Sequence, residues 1–330
     1  MPESDLPSVA VVIPCYNSEL WVSRAIESAL RQAGVRPEVI AVDDGSTDNS
    51  LQMIRRYSDS IRWESGPNSG ACIARNRGLE LVKSPFVMFL DADDYLEQDT
   101  LLGLVSAAEK AKADLVITKV AEADATGRRA SRVLPRVESP NRFMSDWLTG
   151  RYVPPCGILW RTDFVRTIGG WNEALRKNQD GELVLRAILR GARISAAETG
   201  TSVYWHHNST DRISNTVSEA KLNDSFGVLR NARAEAETRR LLSDEVEVAF
   251  SRATHVYERM AAHNGLSALE SEIRKYRASL GWPAFEGEIM HICASRLLGL
   301  GRKERLARWF RVAMRRHRKR WPRQGYNRVV

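Results

Sequence analysis

The sequence predicts an α/β fold with a mainly parallel central sheet flanked by helices, followed by a helical C-terminal region. Three observations predict it. Short apolar runs rich in β-branched residues alternate with helical patterns in the first half of the chain. Polar clusters directly follow three of these runs. From residue 218 onward, apolar residues recur at helical spacing, with few strand-like runs.

The elements can be assigned in order. SVAVVIP (8–14) predicts a buried first strand, and a helix follows, with Ser18 as its candidate N-cap. EVIAV (38–42) predicts the second strand, which ends at the turn DDGSTDNS. Later segments predict strands at 61–64, 85–90 and 113–119, a helix at 69–82, an irregular stretch at 121–140, and mixed α/β structure at 158–216. We therefore expect one domain over residues 1–217 and a helical region over residues 218–330.

Composition narrows the class of protein. Hydrophobic residues make up 43% of the chain and charged residues 27%, as in globular proteins, and no apolar run approaches the ~20 residues of a membrane span. The N-terminus lacks the apolar segment of a secretory signal. The four cysteines are far apart and form no CxxC pair, which indicates reduced thiols. We expect a cytoplasmic protein.

The net charge of +8 is carried by the C-terminal segment, because residues 302–330 hold 12 Lys/Arg and one acidic residue, which leaves residues 1–301 at −3. Within residues 302–321, apolar side chains recur at i, i+3, i+4, i+7 and i+8 opposite arginines. Such a helix suits the anionic inner face of a membrane. Packing against the preceding helices is the alternative. No nucleic-acid-binding fold accompanies the segment, so we do not expect a nucleic-acid partner.

Polar motifs end three of the predicted strands. PCYNSE (14–19), DDGS (43–46) and DADD (91–94) follow the first strand, the second strand and a central strand. Ligands of open α/β sheets bind outside the carboxyl ends of the strands, so these motifs predict one shared site.

The motifs, in this order and spacing, resemble the nucleotide-sugar-dependent glycosyltransferases of family 2, whose GT-A fold is Rossmann-like. The resemblance runs from about Val9 to Ser214 and is carried by VVIPCYNSE, VDDGSTDNS, GPNSGACIARNRGL, FLDADD and GGWNEALRKNQDGELVLRAILRG. It implies metal-dependent, inverting transfer of a sugar from a nucleotide-diphosphate donor, with a UDP-linked donor favoured. The implied acceptor is a hydroxyl of a glycan or lipid-linked saccharide in cell-surface polysaccharide assembly.

The resemblance also implies a cation site. Asp91 and Asp93 match the family's DxD motif, in which the second carboxylate binds Mn²⁺ or Mg²⁺ and the first faces the ribose or the water shell of the metal. The metal would neutralise charge on the diphosphate. His207 is a candidate further ligand, with a structural role as the alternative. Asp94 can instead cap a helix, and Arg212 and Ser214 can reach the diphosphate.

For the donor nucleotide, Asp43 matches the carboxylate that accepts a hydrogen bond from the uracil imide, and Tyr16 can pack on the base. Asp44 can assist or can stabilise its own turn, and Arg75 can face the donor or form a surface ion pair. The full donor set by resemblance is Pro14, Tyr16, Glu19, Asp43, Asp44, Arg75, Asn76 and Asp91.

The general base matches Asp180, which takes the place of the Asp in the family's ED motif and would deprotonate the acceptor hydroxyl. The chain departs from the pattern here, because Gln179 replaces the usual Glu and Gly181 replaces a bulkier residue. Glu182 is the competing base, and helix capping is the alternative role of Asp180. Trp171, after two glycines, is the candidate acceptor-binding residue, expected to expose its ring for stacking on a sugar, with ordinary packing as the alternative.

The sequence argues against three other classes of protein. A sugar nucleotidyltransferase normally needs a glycine-rich, basic loop after the first strand, and PCYNSELW has neither glycine nor base. A phosphatase or mutase places its acidic pair after the first strand rather than after residue 85. A basic nucleic-acid-binding protein would leave the three strand-end motifs unexplained.

Overall fold

The structure, a computed structural model, describes residues 6–127, 129–207, 218–284, 295 and 299–304. The described residues form two compact units. One contains the residues up to 207 together with 230–249, and the other contains 218–229 and the described residues from 250 onward. The predicted boundary near residue 217 stays a prediction. Arg212, Ser214 and all of the basic segment after residue 304 lie outside the described residues.

Nine strands form one mixed sheet in the described part of the chain. They are β1 (Ser8–Cys15), β2 (Arg36–Asp43), β3 (Arg62–Ser65), β4 (Phe86–Phe89), β5 (Tyr95–Leu96), β6 (Leu115–Asp124), β7 (Arg129–Ser131), β8 (Ile158–Arg161) and β9 (Ile194–His206). The sheet order is β3-β2-β1-β4-β8-β6-β9-β5, and β7 pairs with β6. β1 to β4 are parallel to one another, whereas β8 is antiparallel to both β4 and β6. The first four strands thus build one parallel part of the sheet, and β6 and β9 also pair in parallel.

Helices flank this sheet and make up the described C-terminal region, as predicted. They are α1 (Val22–Leu30), α2 (Ser50–Arg55), α3 (Ala71–Leu81), α4 (Thr100–Lys110), α5 (Pro140–Leu148), α6 (Thr162–Thr167), α7 (Gln179–Leu189), α8 (Glu219–Thr238), α9 (Asp244–His263) and α10 (Ser267–Ser279). Among the described helices, none is both long and apolar enough to cross a lipid bilayer.

Two local predictions were wrong. The N-cap position of α1 is Trp21 rather than Ser18, and Ser18 contributes its backbone carbonyl, which accepts from the N–H groups of Trp21 and Val22 at 2.9 and 3.0 Å. The stretch 121–140 is not irregular at its start, because β6 continues to Asp124 and pairs with β7. Ala121 and Ala123 alternate onto a buried face against Val203, and small side chains conceal this strand from a search for large apolar residues.

The close approach of α3 to the sheet depends on one glycine. A Cβ atom on Gly78 would lie 2.3 Å from Cγ1 of Val12 and 3.3 Å from Cγ2 of Val42. Val12 and Val42 belong to β1 and β2 and are fully buried, so neither side chain can move into solvent. Gly78 therefore sets the distance of α3, which carries Arg75 and Asn76, from the two strands.

We expect Gly78→Ala to lower the free energy of unfolding by about 1–3 kcal/mol, because the added methyl group overpacks this contact. The matched control is Gly227→Ala in α8, where no atom lies within 4 Å of the added Cβ. That variant should be unchanged or up to ~1 kcal/mol more stable, since alanine favours helices. Urea unfolding followed by circular dichroism measures both variants. Equal stability of Gly78→Ala and wild type would contradict the packing argument.

Candidate active site

The three polar motifs meet at the carboxyl edge of the parallel strands. Cys15 pairs with Asp43 at the ends of β1 and β2, and the Leu90 N–H after β4 donates to the Val12 carbonyl at 2.9 Å. The Asp44 N–H donates to the Cys15 carbonyl at 2.8 Å. The predicted convergence of the strand-end motifs is therefore present.

The loops after β1 and β2 are hydrogen-bonded to each other. Asn17, with φ +49°, accepts from the Thr47 N–H at 2.8 Å, and its own N–H donates to Ser46 Oγ at 3.1 Å. Glu19 Oε2 accepts from the N–H and the side-chain amide of Asn49 at 2.9 and 2.8 Å. Glu19 thus links the loop after β1 to the loop after β2.

Asp43 and Asp44 face different partners. Asp43 is only 1% exposed, and its carboxylate accepts from Ser65 Oγ at 2.7 Å and from the Ser46 N–H at 3.2 Å. Asp44 accepts from the N–H groups of Ser69 and Gly70, just before α3, at 2.8 and 2.9 Å. The dipole of α3 also stabilises a negative charge near the N-terminus of the helix. Asp44 therefore has a structural role. The assignment of both residues to the donor nucleotide stays a prediction.

Of the remaining loop residues predicted for the nucleotide, Tyr16 is the most accessible. It is 47% exposed, so a face of its ring is open to a ligand. Pro14 lies within β1, paired with Val42, and fixes the position from which the loop leaves the strand.

The crowded carboxylates of the DADD turn diverge onto separate partners. Asp91 Oδ1 lies 2.6 Å from an Arg75 Nη atom, and Asp93 Oδ2 lies 3.0 Å from His207 Nε2. Asp94 is fully buried and accepts from the Trp205 N–H at 2.9 Å, so it does not cap α4. Burial, and then the charges of Asp93 and Asp91, raise the pKa of Asp94 well above its usual range. Ionisation of Asp94 is therefore strongly disfavoured in this turn.

Asp93 and His207 offer one oxygen and one nitrogen donor, a combination that Mn²⁺ accepts. The two ligand atoms, Asp93 Oδ2 and His207 Nε2, lie 3.0 Å apart, so both side chains are directed toward one position. Asp91 is turned toward Arg75, and in the described chain no three His, Cys, Asp or Glu side chains are grouped as metal ligands. The residues thus fit a cation that takes two protein ligands and completes its shell with water and phosphate oxygens.

Arg75 connects three segments of the site. Besides Asp91, it donates to Gln179 Oε1 at 3.2 Å, and its guanidinium lies 4.4 Å from the centre of the Trp171 ring. Its side chain is 8% exposed, so the alternative of a surface ion pair was wrong. A buried cation of this kind requires the paired carboxylate.

Trp171 is buried, contrary to the expected exposed stacking surface. It is 3% exposed, with Arg75 over its ring and Phe89 against it in an edge geometry at 5.1 Å. The Asn76 side chain accepts from the Trp171 N–H at 2.8 Å and donates to its carbonyl at 2.9 Å. Asn76 therefore holds the Trp171 turn. The acceptor-binding role of Trp171 stays a prediction, and the burial of its ring does not support it.

Asp180 lies in the first turn of α7 and is half-buried. Burial raises the pKa of its carboxyl above the ordinary value, the Gly181 N–H and the charge of Arg75 oppose the shift, and the charge of Asp91 adds to it. The competing base, Glu182, is bound to Arg186 by two contacts at 2.8 and 2.9 Å. Asp180 is therefore the carboxylate of this helix turn that remains for proton transfer.

The two departures from the family pattern have local causes. A Cβ atom on Gly181 would lie 2.0 Å from Oδ1 of Asn178, so glycine makes room for that amide. Gln179 accepts from Arg75 and donates to the Leu175 carbonyl at 2.8 Å, and a carboxylate at this position could not make the second hydrogen bond.

Sequence reasoning missed the first turn of α1. Trp21 stacks on His207 at 4.2 Å between ring centres, and Arg24 donates to the Asp93 carbonyl at 2.7 Å. Arg24 also lies between the rings of Tyr95 and Trp205, 4.4 Å from each centre. The sequence signal for this part of the site was an aromatic and a basic residue three positions apart, on one side of a helix.

Comparison with known proteins identifies a family for part of the chain. Residues 10–169 match the family model described as glycosyl transferase family 2. An uncharacterized glycosyltransferase of Haemophilus influenzae is 35% identical over 101 residues, covering 29% of this chain and 40% of that protein. EpsJ of Bacillus subtilis, an uncharacterized glycosyltransferase, is 26% identical over 217 residues, covering 60% and 61%. TarS of Staphylococcus aureus is 26% identical over 195 residues, covering 56% and 33%.

The fold is similar to that of solved TarS structures. The crystal structure of TarS 1–349 in complex with UDP-GlcNAc superposes with a TM-score of 0.59 at 20% identity, covering 76% of this chain and 81% of that one. The matched segments span less than two thirds of the length of each relative named above. From the family match and the shared fold, the domain that contains residues 10–169 is a family 2 glycosyltransferase domain with the GT-A fold.

Proposed function

We propose that this protein is a metal-dependent, inverting glycosyltransferase with a UDP-linked sugar donor. Its acceptor would be a hydroxyl of a glycan or lipid-linked saccharide in cell-surface polysaccharide assembly. The observation that carries the proposal is the half-buried Asp180, whose carboxyl has a raised pKa and lies within the field of the buried Arg75–Asp91 pair. Arg75 thus interacts with both the proposed base, Asp180, and the first carboxylate of the DADD turn, Asp91.

The relatives support the donor and acceptor classes. TarS is a poly(ribitol-phosphate) β-N-acetylglucosaminyltransferase and has been solved with UDP-GlcNAc and with UDP. A Bacillus spizizenii relative is a poly(ribitol-phosphate) β-glucosyltransferase, and two Pasteurella multocida relatives are chondroitin and hyaluronan synthases. These names favour a hexosyl or N-acetylhexosaminyl donor on UDP and a polymeric acceptor.

In the proposed reaction, Asp180 removes the proton from the acceptor hydroxyl while the oxygen of that hydroxyl attacks the anomeric carbon of the donor sugar. The new bond forms on the face opposite the diphosphate, the bond from the anomeric carbon to the diphosphate oxygen breaks, and the configuration inverts. Burial makes Asp180 a stronger base than an exposed carboxylate, because desolvation disfavours its charged form. The charge of Arg75 opposes that effect and so favours the ionised carboxylate.

The donor side follows from the same contacts. Asp43 presents a buried carboxylate to the uracil imide, and Tyr16 offers an accessible ring to the base. Mn²⁺ or Mg²⁺ held by Asp93 and His207 would neutralise charge on the diphosphate leaving group. Contact of the basic segment 302–321 with an anionic membrane remains part of this proposal and draws on the sequence alone.

We expect Asp180→Asn to lower turnover by roughly 10²–10⁴-fold, since the amide cannot accept the proton. Affinity for UDP should stay nearly unchanged, because the proposed donor contacts remain. The measurement is release of UDP from UDP-GlcNAc or UDP-glucose with purified cell-wall glycopolymer as acceptor. Asp59→Asn, in an exposed turn, is the control and should behave as wild type. Near-normal turnover of Asp180→Asn would remove this residue from the base role.

We expect UDP to bind tightly only with Mn²⁺ among UDP, GDP, CDP, dTDP and ADP, measured by calorimetry with and without metal. Asp93→Ala should weaken that binding by about tenfold or more, because it removes a proposed cation ligand. Preference for another nucleotide would contradict the role of Asp43 and leave the mechanism standing. Metal-independent binding would contradict the cation site.

We expect Arg75→Met to move the acidic limb of the kcat/KM profile to higher pH. Asp180 acts as a base only when ionised, so the rate falls as pH drops through its pKa, and Arg75 lowers that pKa. Arg75→Lys keeps the positive charge and should leave the limb near its wild-type position. Profiles from about pH 5 to about pH 9 test this, with thermal unfolding as the folding control. A limb that does not move in Arg75→Met would show that another group controls the rate.

A further inference from the structure

His207 contacts Asp93 from a backbone position outside the sheet. β9 ends at His206, so His207 lies just past the last residue of the strand and its backbone is not held in the sheet. Its Nε2 atom nevertheless lies 3.0 Å from Asp93 Oδ2, and its side chain is mostly buried. Another contact must set the orientation of the ring.

Histidines that bind metals usually donate their second ring nitrogen to a carboxylate or carbonyl, which fixes the ring. In His207 that nitrogen, Nδ1, is buried and has no hydrogen-bond partner among the residues that the structure describes. The contact that does hold the ring is Trp21, which stacks on it with centres 4.2 Å apart and planes inclined by 25°. A stacked aromatic face restricts rotation of the imidazole about its long axis.

The carboxylate side of the pair is held independently. Arg24, one turn after Trp21, donates to the Asp93 carbonyl at 2.7 Å while lying between Tyr95 and Trp205. Arg24 thus holds the backbone of Asp93, while Trp21 contacts the ring of His207. The first turn of α1 thus contacts both sides of the candidate cation site.

We propose that Trp21 is a positioning residue, whose stacking on His207 replaces the missing hydrogen bond to Nδ1 and directs Nε2 toward Asp93 and the donor diphosphate. The inference rests on the proposed function for its consequence, since only donor binding would make use of this orientation. It concerns Trp21 and His207 themselves and can be tested with or without a donor.

The first experiment is calorimetry of UDP in the presence of Mn²⁺. Trp21→Leu should weaken binding by about tenfold, in the range found for residues that orient metal ligands. Trp21→Phe keeps a stacking ring and should recover most of the affinity. Trp63→Leu is the matched control. Trp63 lies on the outer strand β3 and, like Trp21, is half-buried; its ring packs beside Arg55 of α2. Equal losses in Trp21→Leu and Trp63→Leu would overturn the proposal.

A double-mutant cycle separates positioning from general destabilisation. If Trp21 acts through the imidazole, Trp21→Leu should cause no further loss in a His207→Ala background. Additive losses would show that Trp21 acts elsewhere and would overturn the proposal.

The metal-free protein distinguishes failure of this inference from failure of the proposed function. In ¹H–¹⁵N spectra of the imidazoles, Trp21→Leu should shift the His207 Nε2 signal in the same direction as Asp93→Asn, since both changes loosen the same contact. This result would support the positioning role even if UDP binding proved independent of Mn²⁺. An Nε2 signal that moves in Asp93→Asn and stays in place in Trp21→Leu would overturn the inference whatever the donor does.

Discussion

The buried ion pair between Arg75 and Asp91 is the interaction on which the candidate site depends. Burial, with a contribution from the charge of Asp91, raises the pKa of both Asp94 and Asp180, so negative charge in this part of the protein needs a compensating cation. Arg75 supplies the compensating charge from inside the protein, where water screens it little. The pair in turn depends on Gly78, because only a glycine lets α3 bring Arg75 so near the strands.

The sequence was sufficient for the parts of the fold that obey local rules. The buried strands β1 and β2, the following helices and the three acidic or polar strand ends could be predicted because periodicity and turn residues are local signals. Convergence of the strand ends followed from the general behaviour of parallel sheets. The short strand β7 and the alanine-lined end of β6 escaped notice, since small side chains and a three-residue strand leave little periodicity to detect.

The environment of individual site residues could not be predicted in the same way. Trp171 is buried because Asn76 and Arg75 reach it from α3, roughly a hundred positions earlier in the chain. Nothing near Trp171 in the sequence carries that information. The resemblance gave Asp180 as the candidate base, which stays a prediction, and the reason for Gln179 and Gly181 depends on their contacts with Arg75 and Asn178. Long-range partners decide whether a plausible residue is available to a ligand.

The reciprocal hydrogen bonds between the loops after β1 and β2 have a consequence for the thermodynamics of recognition. Asn17 and Glu19 are bound to the loop after β2 without any ligand, so the part of the site proposed for the nucleotide is already ordered. Ordering a loop on binding costs conformational entropy, and preorganised surfaces avoid that cost. A nucleoside bound here would therefore meet a rigid receptor, and its association would show the small entropic penalty of lock-and-key binding.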